Sequence, residues 1–156
     1  MDARLDFFSQ PSVTTLIKKI SGASSVPDSV LPTTLQELCR LRASQINGCG
    51  YCTDMHIKEA LHAGEDQQRL NLVAAWREAT CFTEAEKAAL ELTEAGTRLA
   101  DVGNVPDDVW LNASKHFDDE QLAALVFVIA VIQFYNRLNV ITQQPAGGYE
   151  VGQYAG

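Results

Sequence analysis

TTLQELCRLRASQINGCGYCTDMHIKEALHAG, residues 33 to 64, carries two helical stretches joined by a break at Asn47-Gly48. Leu31-Pro32-Thr33-Thr34 reads as a helix start, with Thr34 in capping-box register three residues before Glu37, and the helix it opens runs to about Ile46. Asn47-Gly48 ends that helix. A second begins at Gly50 or Cys52 and continues to Ala63, where Gly64 supplies a left-handed terminator. Cys49 and Cys52 therefore sit at a helix start, and His56 follows one turn further along.

The rest of the chain has the same periodicity. Val13, Leu16, Ile17 and Ile20 fall at i, i+3, i+4 and i+7 behind a Ser12 cap, after a break at Pro11, and predict an amphipathic helix over 12–21. Gly22 to Pro32, with two prolines and several small residues, reads as a connector. A short helical piece covers Asp66 to Glu78. Thr83 and Glu86 repeat the capping-box pattern and open a helix to about Ala100, and Pro106-Asp107 begins another to Lys115. Asp118, with Gln121 three residues on, caps a last helix to about Thr142. That helix is apolar on every face from Leu122 to Ile132, which suits the centre of a core, a subunit interface, or both. Gln143 to Gly156 reads as an irregular extension long enough to reach a neighbouring subunit. No Asn-Gly or Asp-Gly hairpin signal stands between β-branched runs, so the fold class is all-α.

A length of 156 residues is most economically one domain, 1–156, and 46% hydrophobic with 21% charged residues is a globular composition. The formal net charge of -8 and a pI near 4.7 argue against nucleic acid and against an anionic membrane surface as partners. The amino terminus has no apolar stretch of signal-peptide length, and the longest unbroken apolar run, Leu122 to Ile132, falls short of the ~20 residues a membrane span needs. A cytoplasmic address follows as an expectation. Four cysteines without a secretory signal point to a catalytic or metal-binding pair rather than a disulfide framework.

Residues at i and i+4 share a helix face, so His56 is expected over Cys52, in reach of its sulfur directly or through one water. A free thiol of pKa about 8.5 is mostly protonated at neutral pH, whereas a helix amino terminus and a nearby imidazolium bring cysteine down to roughly 3.5–7.5. Cys49 is spaced to close a disulfide with Cys52, with Gly50 giving the backbone its freedom. The preceding helix, folded back at Asn47-Gly48, brings Glu37 beside the pair, where a carboxylate orients and charges the imidazole: orienter, base and activated sulfur.

Glu37, eleven residues, Cys49, two residues, Cys52, three residues and His56 together resemble the signature of the carboxymuconolactone decarboxylase superfamily, in its alkyl hydroperoxidase D-like (AhpD-like) branch. The similarity spans about Thr33 to Gly64, and Phe134-Tyr135-Asn136-Arg137-Leu138-Asn139 is similar to an aromatic-Asn-Arg segment of that branch. The resemblance implies an all-helical AhpD-like bundle, assembly into trimers or hexamers, and thiol peroxidase or disulfide reductase activity without a metal or cofactor. It implies that Glu37 and His56 relay a proton to Cys52, that Cys49 completes the disulfide, that the substrate is a hydroperoxide and that an outside thiol or dithiol resets the pair. The best-studied branch has a second histidine just before the second cysteine, where this chain has Tyr51. A phenol of pKa about 10 is a poor proton acceptor at neutral pH.

Peroxide attack by Cys52 with resolution by Cys49 is the leading reading, although the amino-terminal cysteine of a CxxC is often the nucleophile. A disulfide or lipoyl-type reductase with little peroxide activity is the second, credited by Tyr51. A structural zinc module on Cys49, Cys52 and His56, with Cys39 or Cys81, is the third, and a non-catalytic oligomeric scaffold the fourth. Cys39 and Cys81 read as ordinary buried thiols, His62 and His116 as surface or edge residues, and Trp76, Trp110 and Phe127 as core. Arg137 is read as closing an ion pair with an acid in the site or at an interface, shaping the site from the end of the last helix.

Overall fold

The computed structural model describes residues 2–24 and 26–153, and among these every regular element is helical. In chain order they are α1 (Pro11–Ser24), a 3-10 turn (Val26–Ser29), α2 (Thr33–Ile46), α3 (Gly50–His62), α4 (Gln67–Leu72), a 3-10 turn (Val73–Ala75), α5 (Glu84–Thr97), α6 (Leu99–Val102), α7 (Asp107–Ala113) and α8 (Asp119–Thr142).

Helix α2 is the hub, packed against α3, α5 and α8. On one side Leu35 and Cys39 meet Leu92 of α5 and Leu122, Leu125, Val128 and Ile129 of α8. On the other, Leu38 and Leu41 meet Ala60 of α3, Leu70, Val73, Trp76 and Leu90. A third, smaller cluster joins Ala43, Cys49, Cys52 and Ile132, so the cysteine pair is wedged among α2, α3 and α8. Each fully buried leucine contributes roughly 2 kcal/mol through its removal from water, which makes the frame around the pair stiff.

Both downstream capping boxes form. Thr83 Oγ1 accepts from the Glu86 amide at 3.2 Å while Glu86 returns a bond to the Thr83 amide at 2.7 Å. Asp118 and Gln121 do the same at 2.9 and 3.1 Å. The expected box at Thr34 does not: α2 begins at Thr33 behind Pro32, with no side-chain cap, because the Glu37 carboxylate is engaged inside the protein. Helix α1 starts at Pro11 itself, which its fixed φ permits at a first turn, and runs beyond 21 to Ser24. The piece expected over 66–78 is the short α4, capped by Asp66, followed by a 3-10 turn, and α5 stops at Thr97 with α6 completing the stretch.

One expectation about packing is corrected, and the places of the last helix and the tail become specific. Trp110 and Phe127 are 42% and 39% exposed and not core, because α7 and α8 each bury only one face. Helix α8 buries Leu122, Leu125, Val128, Ile129, Ile132, Asn136 and Asn139, and leaves Val126, Phe127, Phe134 and Ile141 in a stripe facing outward. Its 24 residues, with an 18-residue window of mean hydropathy 1.7, would suffice, by length and composition alone, for a membrane span, but its inner face is taken by α2, α3 and α5. The tail, finally, lies on its own α3. Tyr149 is buried, its hydroxyl bonds to Glu59, and Lys58 Nζ donates to the Tyr149 carbonyl at 2.9 Å.

Candidate active site

The turn between α2 and α3 sets the two sulfurs. Gly48 adopts φ +67, left-handed backbone that glycine enters without strain. The Cys49 amide then returns to the Ser44 carbonyl at 3.0 Å, leaving Cys49 extended as the cap of α3. Its Sγ accepts the Cys52 backbone N–H at 3.3 Å, the bond a serine or aspartate oxygen makes at other helix starts. At Gly50 a β-carbon would come within 3.3 Å of the Ala146 side chain, so the tail closes on the pair at a position that favours the smallest residue.

Both sulfurs are buried, Cys49 at 2% and Cys52 at 1% exposed, yet they differ in surroundings. Cys49 lines an open cleft of about 500 Å³, walled by Gly48, Gly50, Asn139, Val140 and the segment from Gln143 to Ala146, and Cys52 does not. A hydrogen bond from the Cys52 thiol brings Cys49 down to about 7 against the upward push of burial; the Cys52 amide and the side chains of Asn136 and Asn139 assist. The same hydrogen bond, with burial and the neighbouring sulfur's charge, pushes Cys52 far above the ordinary thiol range. The reduced pair therefore titrates as a unit, with the first proton lost more readily than from an isolated buried thiol and Cys49 the sulfur that is lowered.

Glu37 and His56 meet as the spacing suggested, with Nδ1 and Oε2 2.7 Å apart in a buried contact. Burial pushes the Glu37 carboxyl up, but His56 and Arg40 together outweigh it and hold it below its usual 4.5. An ionised carboxylate only accepts, so Nδ1 carries a hydrogen toward Glu37 and Nε2 is the nitrogen left to exchange a proton with the pair. That Nε2 is buried without a hydrogen-bond partner. Among the described residues it makes no direct hydrogen bond to either sulfur; Glu37 fixes the ring, and one helical turn separates it from Cys52.

The remaining candidates lie further out. Tyr51 stacks edge-on against Tyr149, at 6.3 Å between centroids, and its hydroxyl accepts from Gln153 at 3.3 Å. Arg137 is exposed and donates to Gln133 of its own helix at 3.2 Å, and among the described residues it forms no ion pair with an acid of the site. Cys39 is deep in the core, where burial pushes its thiol up to about 11, and Cys81 is half-buried. Among the described residues no three His, Cys, Asp or Glu side chains converge as a metal site.

Sequence reasoning passed over three residues. Arg40 bonds Glu37 at 2.5 Å from one turn along α2, a spacing that could have flagged it. Asn139 Nδ2 lies 3.1 Å from Cys52 Sγ. Asn136 donates to Ser44 at 3.1 Å and accepts from Asn47 at 2.9 Å, tying α8 to the α2 terminus. Two asparagines three apart inside an apolar helix were the available signal.

Over residues 11–95 the chain matches the Carboxymuconolactone decarboxylase family. It belongs to that family. A Bacillus subtilis (strain 168) relative, the uncharacterized protein YdfG, is 40% identical over 112 residues, covering 72% of this chain and 76% of its own. A solved structure from Agrobacterium tumefaciens, a protein of unknown function regarded as a candidate antioxidant defence protein AhpD, superposes with a TM-score of 0.87 at 32% identity over 95% of this chain and 100% of that one. The debrominase Bmp8 superposes at 0.77 with 19% identity, over 88% of this chain and 74% of that one, which is a likeness of fold. This member of the carboxymuconolactone decarboxylase family thus has the all-helical AhpD-like fold, with its CxxC at the start of a helix.

Proposed function

We propose that this protein is a thiol-dependent hydroperoxidase that cycles Cys49 and Cys52 between dithiol and disulfide. The observation that carries the reading is a buried, carboxylate-oriented imidazole, Glu37–His56 at 2.7 Å, one turn from a cysteine pair that already shares a proton. The Cys49 thiolate attacks the terminal oxygen of ROOH; the S–O bond forms as O–O breaks, and the alkoxide leaves and takes a proton as ROH. Cys52 then gives its proton toward His56 Nε2 and attacks the Cys49 sulfenic sulfur, closing S–S and releasing hydroxide, which is protonated to water. Two thiols and ROOH become a disulfide, ROH and water, and an outside thiol or dithiol returns the two electrons. Attack was expected from Cys52; the cleft and the direction of the shared hydrogen bond favour Cys49.

Treating reduced protein with an organic hydroperoxide should remove two thiols per chain, and peptide mapping should find them as Cys49–Cys52. Retention of both thiols under excess peroxide discards the reading. Tyr51, turned toward Tyr149, supports a second one, a disulfide reductase, which would exchange rapidly with a dithiol donor and hardly consume peroxide.

The reading includes a cytoplasmic address and a homo-oligomer, trimeric or hexameric, closed over the Val126, Phe127, Phe134 and Ile141 stripe. Phe134→Glu should lower the mass measured by sedimentation to that of smaller species, and an unchanged mass would place the interface elsewhere.

A further inference from the structure

Asn139 is the one side chain on α8 that both touches a site sulfur and lines the cleft at Cys49. It is 5% exposed, its Nδ2 is 3.1 Å from Cys52 Sγ, and its Oδ1 is buried without a partner. An asparagine kept for packing alone is a poor choice, since an orphaned buried acceptor is destabilising and leucine offers the same γ-branched shape without it. The neighbouring Asn136 has a structural occupation for both ends of its amide. Asn139 accepts an uncompensated oxygen in order to point its nitrogen at sulfur.

What that nitrogen meets depends on oxidation state. In the dithiol the Asn139 amide favours the charged form of both sulfurs, Cys49 as well as Cys52, whereas a disulfide sulfur, which is neutral, takes an N–H hydrogen bond weakly. The other side chains that could serve the pair are engaged elsewhere. The His56 ring is held by Glu37, and the Tyr51 ring lies against Tyr149 with its hydroxyl toward Gln153. The charged and titratable groups on the surrounding elements include Glu37, Arg40 and Arg42 of α2, Tyr51, Asp54, His56, Lys58 and Glu59 of α3, and Tyr135 and the exposed Arg137 of α8, of which Tyr51 and Tyr135 pack against the cysteine cluster.

We propose that Asn139 is the positioning residue that stabilises the reduced, charged form of the dithiol over its disulfide, and so sets how readily the pair accepts electrons. This rests on the redox reading of Cys49 and Cys52 and not on the identity of the peroxide. The device works from outside the cysteine helix: α8 delivers one amide, and the strength of the pair as an oxidant follows from it, as it does wherever a reduced thiolate is selectively stabilised. Asn136, which also favours the charged form of Cys49, acts in the same direction but is needed for the α2 junction as well.

Two isosteric substitutions test it. Asn139→Leu removes the amide, and Asn139→Asp keeps the shape and removes the donor. In both, ultraviolet thiolate absorbance should titrate to higher pH than in wild type, with Asn139→Asp moved at least as far because its carboxylate repels the thiolate. The equilibrium with glutathione should shift toward the disulfide by about tenfold, the loss expected of one charge-assisted hydrogen bond. Asn139→Leu should hold or raise the melting temperature, which separates this role from a structural one. If either folded variant keeps the wild-type titration and an exchange constant within about twofold of it, the proposal is overturned. A wild-type protein that never forms the Cys49–Cys52 disulfide in glutathione would instead overturn the redox reading beneath it.

Discussion

Cys49→Ser should reduce peroxide consumption to the uncatalysed background, while Cys52→Ser should complete one fast turnover and stop, its Cys49 trapped as a sulfenic acid. The asymmetry comes from which sulfur keeps its donors. In Cys52→Ser the new hydroxyl and the unchanged backbone N–H at 52 can still donate to Cys49 Sγ, so the thiolate of pKa about 7 survives and the cleft in front of it is untouched. Only resolution is lost, because serine does not attack a sulfenic sulfur. In Cys49→Ser the sulfur that remains is Cys52, at 1% exposure and away from the cleft, with burial still opposing its charge. Labelling with a sulfenic-acid probe after one equivalent of peroxide distinguishes the two. Label on Cys52 in the Cys49→Ser protein, with none on Cys49 in the Cys52→Ser protein, would reverse the assigned order of attack.

The resolving step explains why a buried second thiol is tolerable. In the proposed cycle Cys52 stays protonated until Cys49 is oxidised; a sulfenic acid would no longer need that hydrogen bond, and the charge that keeps Cys52 protonated would be gone. The proton then has a destination one turn away at His56 Nε2, the only ring nitrogen left free by Glu37.

How far the sequence carries can be judged from particular residues. The α2–turn–α3 frame was legible because its signals are local: Asn47-Gly48 breaks a helix and Gly64 ends one by backbone preference alone. Glu37–His56 was legible because spacing and a recurrent four-residue pattern coincide. The misplaced cap shows where local signals fail, since Thr34 and Glu37 fit the capping register and yet the carboxylate gains more from an arginine and an imidazole in the interior. Asn136 and Asn139 were hidden because their meaning depends on the rotation of α8 against α3, a long-range quantity. The tail was hidden for the same reason: nothing around Tyr149 in the sequence announces Glu59 as its partner. Trp110 and Phe127 were misassigned since an apolar side chain reads the same whether it fills a core or faces outward.

Glu37→Gln tests the other half of the site, and three readouts should move together. Glutamine keeps the shape of the side chain but can present an N–H to His56, so the ring is no longer obliged to carry its hydrogen on Nδ1 and to leave Nε2 basic. Peroxide turnover should fall by about 100-fold, the low end for losing a positioned base. Sulfenic acid formation at Cys49 should be affected less than its resolution, because the thiolate is held by Cys52 and the asparagines and not by the imidazole. Stability should fall by about 3 kcal/mol at neutral pH, as a buried pair loses one partner and Arg40 is left facing a neutral side chain. The sign with pH follows from the Glu37 carboxyl titrating below 4.5 in the folded protein: its contribution is fully present above 4.5 and is lost as pH falls through the lower, folded value. Wild type should therefore lose stability steeply on acidification below about 4.5 and converge toward Glu37→Gln, whose own curve is flatter there. Parallel melting curves for the two proteins across that range would mean that Glu37 is not the ionised partner of His56, and the basic Nε2 that the relay requires would have no cause.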